Sequence, residues 1–192
     1  NNLFKKSNIN IKKHKIHFLT VARLNWKKGL ESTLEALAIF KEKCSANFTY
    51  SIIGDGIEKE RLSYAVKNLG LDKIVQFKGQ LGIEKVKDYY KKSDIYLQYS
   101  VQEGFCNSVL EAQAMGLLVI ASNAEGLEEN IIDGRTGWIV EKYNPSLLAE
   151  KIENIINIKN NKLDLVRKNA IERVNKKFNL DNQIKLFKNF YD

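Results

Sequence analysis

Tyr99-Ser100-Val101-Gln102-Glu103-Gly104-Phe105-Cys106-Asn107-Ser108-Val109-Leu110-Glu111-Ala112-Gln113-Ala114-Met115-Gly116 is the stretch whose reading decides the fold. Upstream of it, the short apolar run Ile95-Tyr96-Leu97 reads as a buried strand; within it, Val109, Leu110, Ala112 and Ala114 recur with helical spacing. The stretch is therefore a strand-to-helix turn. Glu103 lies in the turn and Glu111 lies about two helical turns further along the chain. Because Glu103 precedes the helix, the two carboxylates flank its N-terminus from different elements. Orphan N–H groups and the positive end of the helix dipole converge at such an end, and Gly104 lets the backbone turn sharply enough to present them. That end suits an anion.

Outward from this stretch the same alternation repeats. Ile16-His17-Phe18-Leu19-Thr20-Val21 reads as a buried strand, followed by Ala22-Arg23-Leu24-Asn25-Trp26-Lys27-Lys28-Gly29, after which Leu30, Leu34, Leu37 and Ala38 mark a helix to about Glu42. Phe48-Thr49-Tyr50-Ser51-Ile52-Ile53 is a second strand, closed by Gly54-Asp55-Gly56. A helix extends from about Ile57 to Asn68, with Gly70 as its stop. Ile74-Val75-Gln76-Phe77 reads as a third strand, residues 83–92 as an amphipathic helix, and Leu117-Leu118-Val119-Ile120-Ala121 as the strand after the central stretch. Residues 124–140 read as a short helix, a turn at Asp133-Gly134 and a last strand, a segment assigned to scaffold. Asn144-Pro145 sits where N-cap and N1 residues belong, before a helix from Ser146 to about Ile158. The tail from about Lys162 to Asp192 reads as two more helices, the last with an apolar face of Phe178, Leu186, Phe187, Phe190 and Tyr191. This alternation predicts a doubly wound α/β domain on a mainly parallel, Rossmann-like sheet with extra C-terminal helices. The expected organisation is a linker or arm over 1–14, the Rossmann-like domain over 15–175 and a C-terminal helix over 176–192.

Composition narrows the function classes. With 192 residues, 44% hydrophobic and 28% charged, the chain reads as one ordinary globular domain. No apolar run approaches the roughly 18 residues that a membrane span needs. The absence of a signal peptide and the start at Asn1 rather than Met predict an excised fragment or a processed product, and two cysteines, Cys44 and Cys106, make a reducing cytoplasm the expected compartment. The net charge of +8 includes a cluster at Lys5, Lys6, Lys12, Lys13 and Lys15. It suits an anionic leaflet or a phosphorylated substrate, hence an expected peripheral contact with the inner membrane face, although a solvated lysine-rich face is the plainer reading. There is neither aromatic interleaving nor a nucleic-acid motif, so no nucleic-acid partner is expected. His14 and His17 have no third or fourth ligand near them and no Asp-x-Asp pair occurs, so no metal site is expected.

Two cations at the carboxyl end of a strand, beside a helix start, suit a diphosphate, because ligands of open parallel sheets bind outside those strand ends. Arg23 can fork onto one phosphate while Lys28 supplies a point charge to the other. The central stretch, with Glu103-Gly104-Phe105 and Glu111-Ala112-Gln113-Ala114-Met115-Gly116, resembles the signature of retaining GT-B glycosyltransferases of family 4. Arg23-Leu24 and Lys28-Gly29 are similar to that family's Gly-Arg-Leu and Lys-Gly elements, with Ala22 in place of the usual Gly. Residues 124–140, through Glu129 to Gly137, are similar to its Glu-x-Ile-x-Asp-Gly-x-Thr-Gly segment, and Leu118 stands where the family has Pro.

The resemblance, which covers about residues 16–150, implies the nucleotide-sugar half of a two-domain enzyme. The donor would be a UDP-sugar or GDP-sugar carrying a hexose-type sugar, with retention at the anomeric carbon and no metal or other cofactor. The acceptor would be a glycan or lipid-linked molecule, bound largely by an N-terminal GT-B domain absent here, so that this half binds donor but hardly transfers. Carried over residue by residue, Arg23 and Lys28 hold the diphosphate with the N–H groups around Asn107, Ser108 and Val109; Glu111 accepts from both ribose hydroxyls; Glu103 contacts the donor sugar and the developing oxocarbenium ion. Gly104 and Phe105 complete the donor turn, Gly54 and Gly56 lie close to the donor, and Phe77 and Leu81 border the base. Cys106 replaces the family's Gly or Pro: it either alters donor choice, exposes a thiol whose pKa the helix N-terminus lowers, or fills space. A GT-B sugar-nucleotide epimerase or phosphorylase, and a non-catalytic nucleotide-sugar-binding module, are the alternatives. A glycosidase fits poorly, because its facing carboxylates have no use for diphosphate cations.

Overall fold

The computed structural model describes residues 15–44 and 46–178. The expected arm over 1–14 and the apolar tail positions Leu186, Phe187, Phe190 and Tyr191 lie outside the described residues. Six strands form one sheet: β1 Ile16–Val21, β2 Phe48–Ile53, β3 Val75–Phe77, β4 Ile95–Gln98, β5 Leu118–Ser122 and β6 Trp138–Val140. Between and after them lie a 3₁₀ turn at Trp26–Lys28 and the helices α1 Leu30–Lys43, α2 Lys59–Asn68, α3 Ile83–Lys92, α4 Asn107–Ala114, α5 Leu127–Asn130, α6 Pro145–Ile156 and α7 Asn160–Lys177. Every pairing is parallel and the order is β3-β2-β1-β4-β5-β6. The order reverses between β1 and β4, so their carboxyl ends open a crevice at the topological switch point.

Burial explains the strands. Every residue of β4 and β5 is buried, the continuous run expected of a parallel strand covered on both faces. On one face Ile16, Phe18, Phe48, Tyr50 and Ile52 pack with buried residues of α1, α2 and α6, including an edge-to-face contact of Phe18 with Phe48 at 5.6 Å. On the other, Leu19, Ile53, Tyr96, Val119 and Ala121 pack against Tyr90 of α3, Val109 and Ala112 of α4 and Leu127 of α5.

The bounds of β1 and β2 coincide with the predicted runs. β5 starts one residue late because the Leu117 N–H donates to Ala112 O at 3.0 Å, closing the end of α4 after Gly116 has turned at φ 75°. The N-cap of α6 forms as predicted, Asn144 Oδ1 accepting the Leu147 N–H at 3.1 Å.

Candidate functional site

The loops after β1 and β4 are tied to each other at the switch point. The Val101 N–H donates to Lys27 O at 2.7 Å, and Gly29 sits at φ 57°, where a Cβ would run into the Tyr99 carbonyl. Only glycine satisfies both the left-handed backbone and the close approach. This tie brings Lys28 to Glu103: Lys28 Nζ lies 2.9 Å from Oε1 and 2.6 Å from Oε2, with side chains only 19% and 11% exposed. Glu103 Oε2 also accepts from Ser100 Oγ at 3.0 Å and Gln98 Nε2 at 3.2 Å. Gln98 and Ser100 are fully enclosed. The carboxylate is thus clamped by charge-assisted bonds from two loops in a partly dehydrated setting, where such bonds are strongest. The network continues inward, Gln98 Oε1 lying 3.0 Å from the Tyr96 hydroxyl, which is 2.9 Å from Ser108 Oγ. Burial pushes the Tyr96 phenol well up, so it stays protonated.

The turn that carries Glu103 is pinned from a third segment. The Gly126 N–H donates to Glu103 O at 3.2 Å, a Cβ on Gly126 would run into the Gly104 carbonyl, and Asn130 Oδ1 accepts the Cys106 N–H at 3.1 Å. Residues 124–130, assigned to scaffold from sequence, therefore set the conformation of the Glu103 turn. Phe105 is 46% exposed and packs against Phe178 with centroids 5.4 Å apart. Cys106 is buried at the N-cap of α4, its Sγ 3.3 Å from Ser108 Oγ, and burial pushes its thiol up. Of the three readings this disfavours the exposed, acidified thiol, because desolvation outweighs the helix end, and it suits the space-filling one. The Val109 N–H donates to Cys106 O at 3.2 Å, leaving those of Asn107 and Ser108 as first-turn donors without an intrahelical acceptor.

Arg23 is exposed, and its side chain has no hydrogen-bond or ion-pair partner among the described residues. Its loop rests on the Gly54-Asp55-Gly56 turn. The Leu24 N–H donates to Asp55 O at 2.9 Å, and a Cβ at Gly54 or Gly56 would run into the carbonyl of Ala22 or Leu24. The two glycines thus shape the Arg23 loop from beneath. Arg23, Gly54, Asp55, Gln80 and Leu81 line a cavity of about 470 Å³. Leu81 also lines a neighbouring cavity of about 340 Å³ together with Tyr90, Glu111 and Met115. Exposed Glu111 accepts from the Tyr90 hydroxyl at 2.9 Å. Leu81 is therefore a wall common to the cation side and the Glu111 side. Phe77 is placed elsewhere: the period-two alternation of β3 turns it to the opposite face of the sheet, against the core of α1 and α2, away from both cavities. A further cavity, of about 830 Å³, runs over the polar floor of His17, Thr49, Ser51 and Gln76 and includes neither carboxylate of the central stretch.

Among the described residues no group of three or more His, Cys, Asp or Glu side chains is placed to hold a metal ion, and no helix is long and apolar enough to cross a membrane. Gln98, Ser100, Tyr90, Gly126 and Asn130 escaped sequence reasoning. Gln98 and Ser100 carried a signal, being polar positions at the end of a fully apolar strand; the other three carried none.

A parallel sheet of this order, with a cation–carboxylate pair at its reversal, defines a Rossmann-like domain of the kind found in GT-B glycosyltransferases. Residues 2–173 match the glycosyl transferases group 1 family, and the chain belongs to that family. It is similar to the amylovoran biosynthesis glycosyltransferase AmsK of Erwinia amylovora, 34% identical over 140 residues that cover 70% of this chain and 34% of that protein. Among solved structures it is similar to the C-terminal domain of the group 1 family protein LpcC of Francisella tularensis, with a TM-score of 0.75, 27% identity and coverage of 86% of this chain and 87% of that one. It also shares its fold with Anabaena HepE in complex with UDP-glucose, at a TM-score of 0.84, 23% identity and coverage of 99% and 54%. The chain spans about half or less of the length of the curated relatives it matches.

Proposed function

We propose that this chain is the donor-binding, C-terminal half of a retaining family 4 glycosyltransferase that moves a hexose-type sugar from a UDP-sugar or GDP-sugar to a glycan or lipid-linked acceptor. The observation that carries the reading is the adjoining pair of cavities at the switch point, one bordered by the unpaired Arg23 and the other by Glu111, with Leu81 common to both. A nucleoside diphosphate supplies a part for each: phosphates for Arg23 and the first turn of α4, the ribose that joins them to the base for Glu111, and the base against Leu81. The likeness to HepE, whose structure contains UDP-glucose, and to AmsK, named for amylovoran biosynthesis, supports a nucleotide-sugar donor and a glycan product.

In this mechanism the departing nucleoside diphosphate gathers negative charge as the sugar–phosphate bond breaks. Lys28 and the N–H groups of Asn107 and Ser108 are fixed before that charge develops, and Arg23, with no other side-chain partner, turns to it, so the charge is stabilised without a metal. Lys28 is neutralised by Glu103 beforehand and shares its charge with phosphate once the donor arrives. Glu103, restrained by Gln98 and Ser100, presents its carboxylate to the sugar hydroxyls and the oxocarbenium-like transition state. The acceptor binds on the N-terminal domain of the complete enzyme, in the cytoplasm or on the inner membrane face.

The test is calorimetric titration of the chain with UDP, GDP and ADP in EDTA, beside Glu111→Ala. Binding of one nucleotide, weakened about tenfold or more by the substitution and indifferent to EDTA, is the expected result. Equal affinity of both proteins would sink the ribose assignment.

A further inference from the structure

Glu111 is exposed on α4, and among the described residues the one hydrogen-bond partner of its carboxylate is the hydroxyl of Tyr90, 2.9 Å from Oε2. Tyr90 reaches it from α3, the neighbouring helix. It is 3% exposed, its ring lies 5.9 Å from that of Tyr96 in the core beneath, and its hydroxyl is also 3.3 Å from Ser108 O in the first turn of α4. The phenol is therefore a rigid fixture, whereas a glutamate on an open helix surface otherwise samples several rotamers. Burial pushes the Tyr90 hydroxyl far up, so it remains a proton donor throughout the neutral range.

Holding one oxygen of a carboxylate restricts the orientations open to the whole group. Glu111 and Tyr90 line the 340 Å³ cavity together, so the restrained carboxylate borders that space. A pair of adjacent hydroxyls, as on ribose, can donate to both oxygens of a carboxylate so oriented; a sugar lacking one of them cannot. We propose that Tyr90 is a positioning residue that orients Glu111, and that this pairing makes the site select ribonucleotides over deoxyribonucleotides. The inference rests on the donor-site reading and adds to it a residue and a selectivity that the acidic side chain alone does not supply.

The experiment is calorimetric titration of wild type, Tyr90→Phe, Glu111→Ala and the double variant with UDP, GDP and the 2′-deoxy form of each. Wild type is expected to prefer the ribose form by about tenfold or more, the scale of one hydrogen bond to a charged group. Tyr90→Phe should weaken the ribose form about tenfold, leave the deoxy form within about twofold, and have no further effect once Glu111 is gone. A merely structural tyrosine gives a different pattern: both forms weaken together, with an unchanged ratio, and that result overturns the proposal while leaving the donor site standing. A wild-type chain that binds none of these nucleotides overturns both. Phe keeps the packed ring; should its melting curve nevertheless collapse, Tyr90→Leu repeats the ratio measurement without the hydroxyl, and a preserved preference in that variant equally overturns the proposal.

Discussion

Glu103 and Glu111 stand eight positions apart in sequence and live in different physical worlds. Glu103 takes donors from Lys28, Ser100 and Gln98, on two loops that meet only at the sheet reversal. Glu111 takes one, from a tyrosine of the adjacent helix, and is otherwise exposed to water. The first carboxylate is part of the fold's own electrostatics, so removing its partners disturbs structure. The second is attached to the fold by one bond and can be altered with little structural consequence. The proposed function uses this division: the group assigned to developing charge is immobile, while the group assigned to ligand recognition is open.

The sharpest way to break this contrast is Lys28→Ala. It leaves Glu103 largely enclosed with its counter-charge gone, and we expect a loss of about 2 kcal/mol in urea denaturation, below the range for fully buried pairs because both side chains retain some exposure. Glu111→Ala should cost less than about 0.5 kcal/mol in the same assay. Equal losses would mean that the ion pair belongs to the surface after all. An effect between those two is expected of Gly126→Ala, whose methyl group must displace the Gly104 carbonyl. It should cost about 1–2 kcal/mol and shift the Glu103 turn, visible as chemical-shift changes at residues 103–106 that spare Glu111. The smallest effect concerns Cys106. Its pKa is raised by burial, so the folded state keeps the thiol proton to higher pH than the unfolded chain does. Its contribution is fully present below the ordinary cysteine range and is lost as pH rises through the folded value. Thiolate absorbance at 240 nm should therefore appear later in folded than in unfolded protein; an earlier appearance would restore the reactive-thiol reading.

Much of the fold was legible because apolar runs end where turn residues begin: Ile16–Val21 before the Arg23 loop, Phe48–Ile53 before Gly54, and Asn144 where a cap was needed. The location of the site was legible for the same reason, since a strand-to-helix turn with a glycine announces itself. Its internal pairing was not. Lys28 and Glu103 are 75 positions apart, and their meeting results from β1 and β4 being neighbours, which no local spacing encodes. From sequence Lys28 was a phosphate ligand and Glu103 a sugar ligand, two separate tasks; in space they are one ion pair. Phe77 is a different case. The alternation with Gln76 turns its side chain into the core, so a role for its turn at the base rests on backbone groups. Gly126 carries its contact through a missing side chain, which leaves nothing in the sequence to read.

The sheet order also governs how the molecule is made. β1 pairs with β2 locally, but its other edge, at Phe18 and Leu19, is filled only by Ile95 and Tyr96. During synthesis the first half of the sheet emerges with its central strand half-clothed, and the second half must arrive before the seam closes. The crevice runs along that seam, with Arg23 on the early half and Glu111 on the late one. A nucleotide that touches both would act as a staple between two stages of biosynthesis, holding closed the joint that translation leaves open longest.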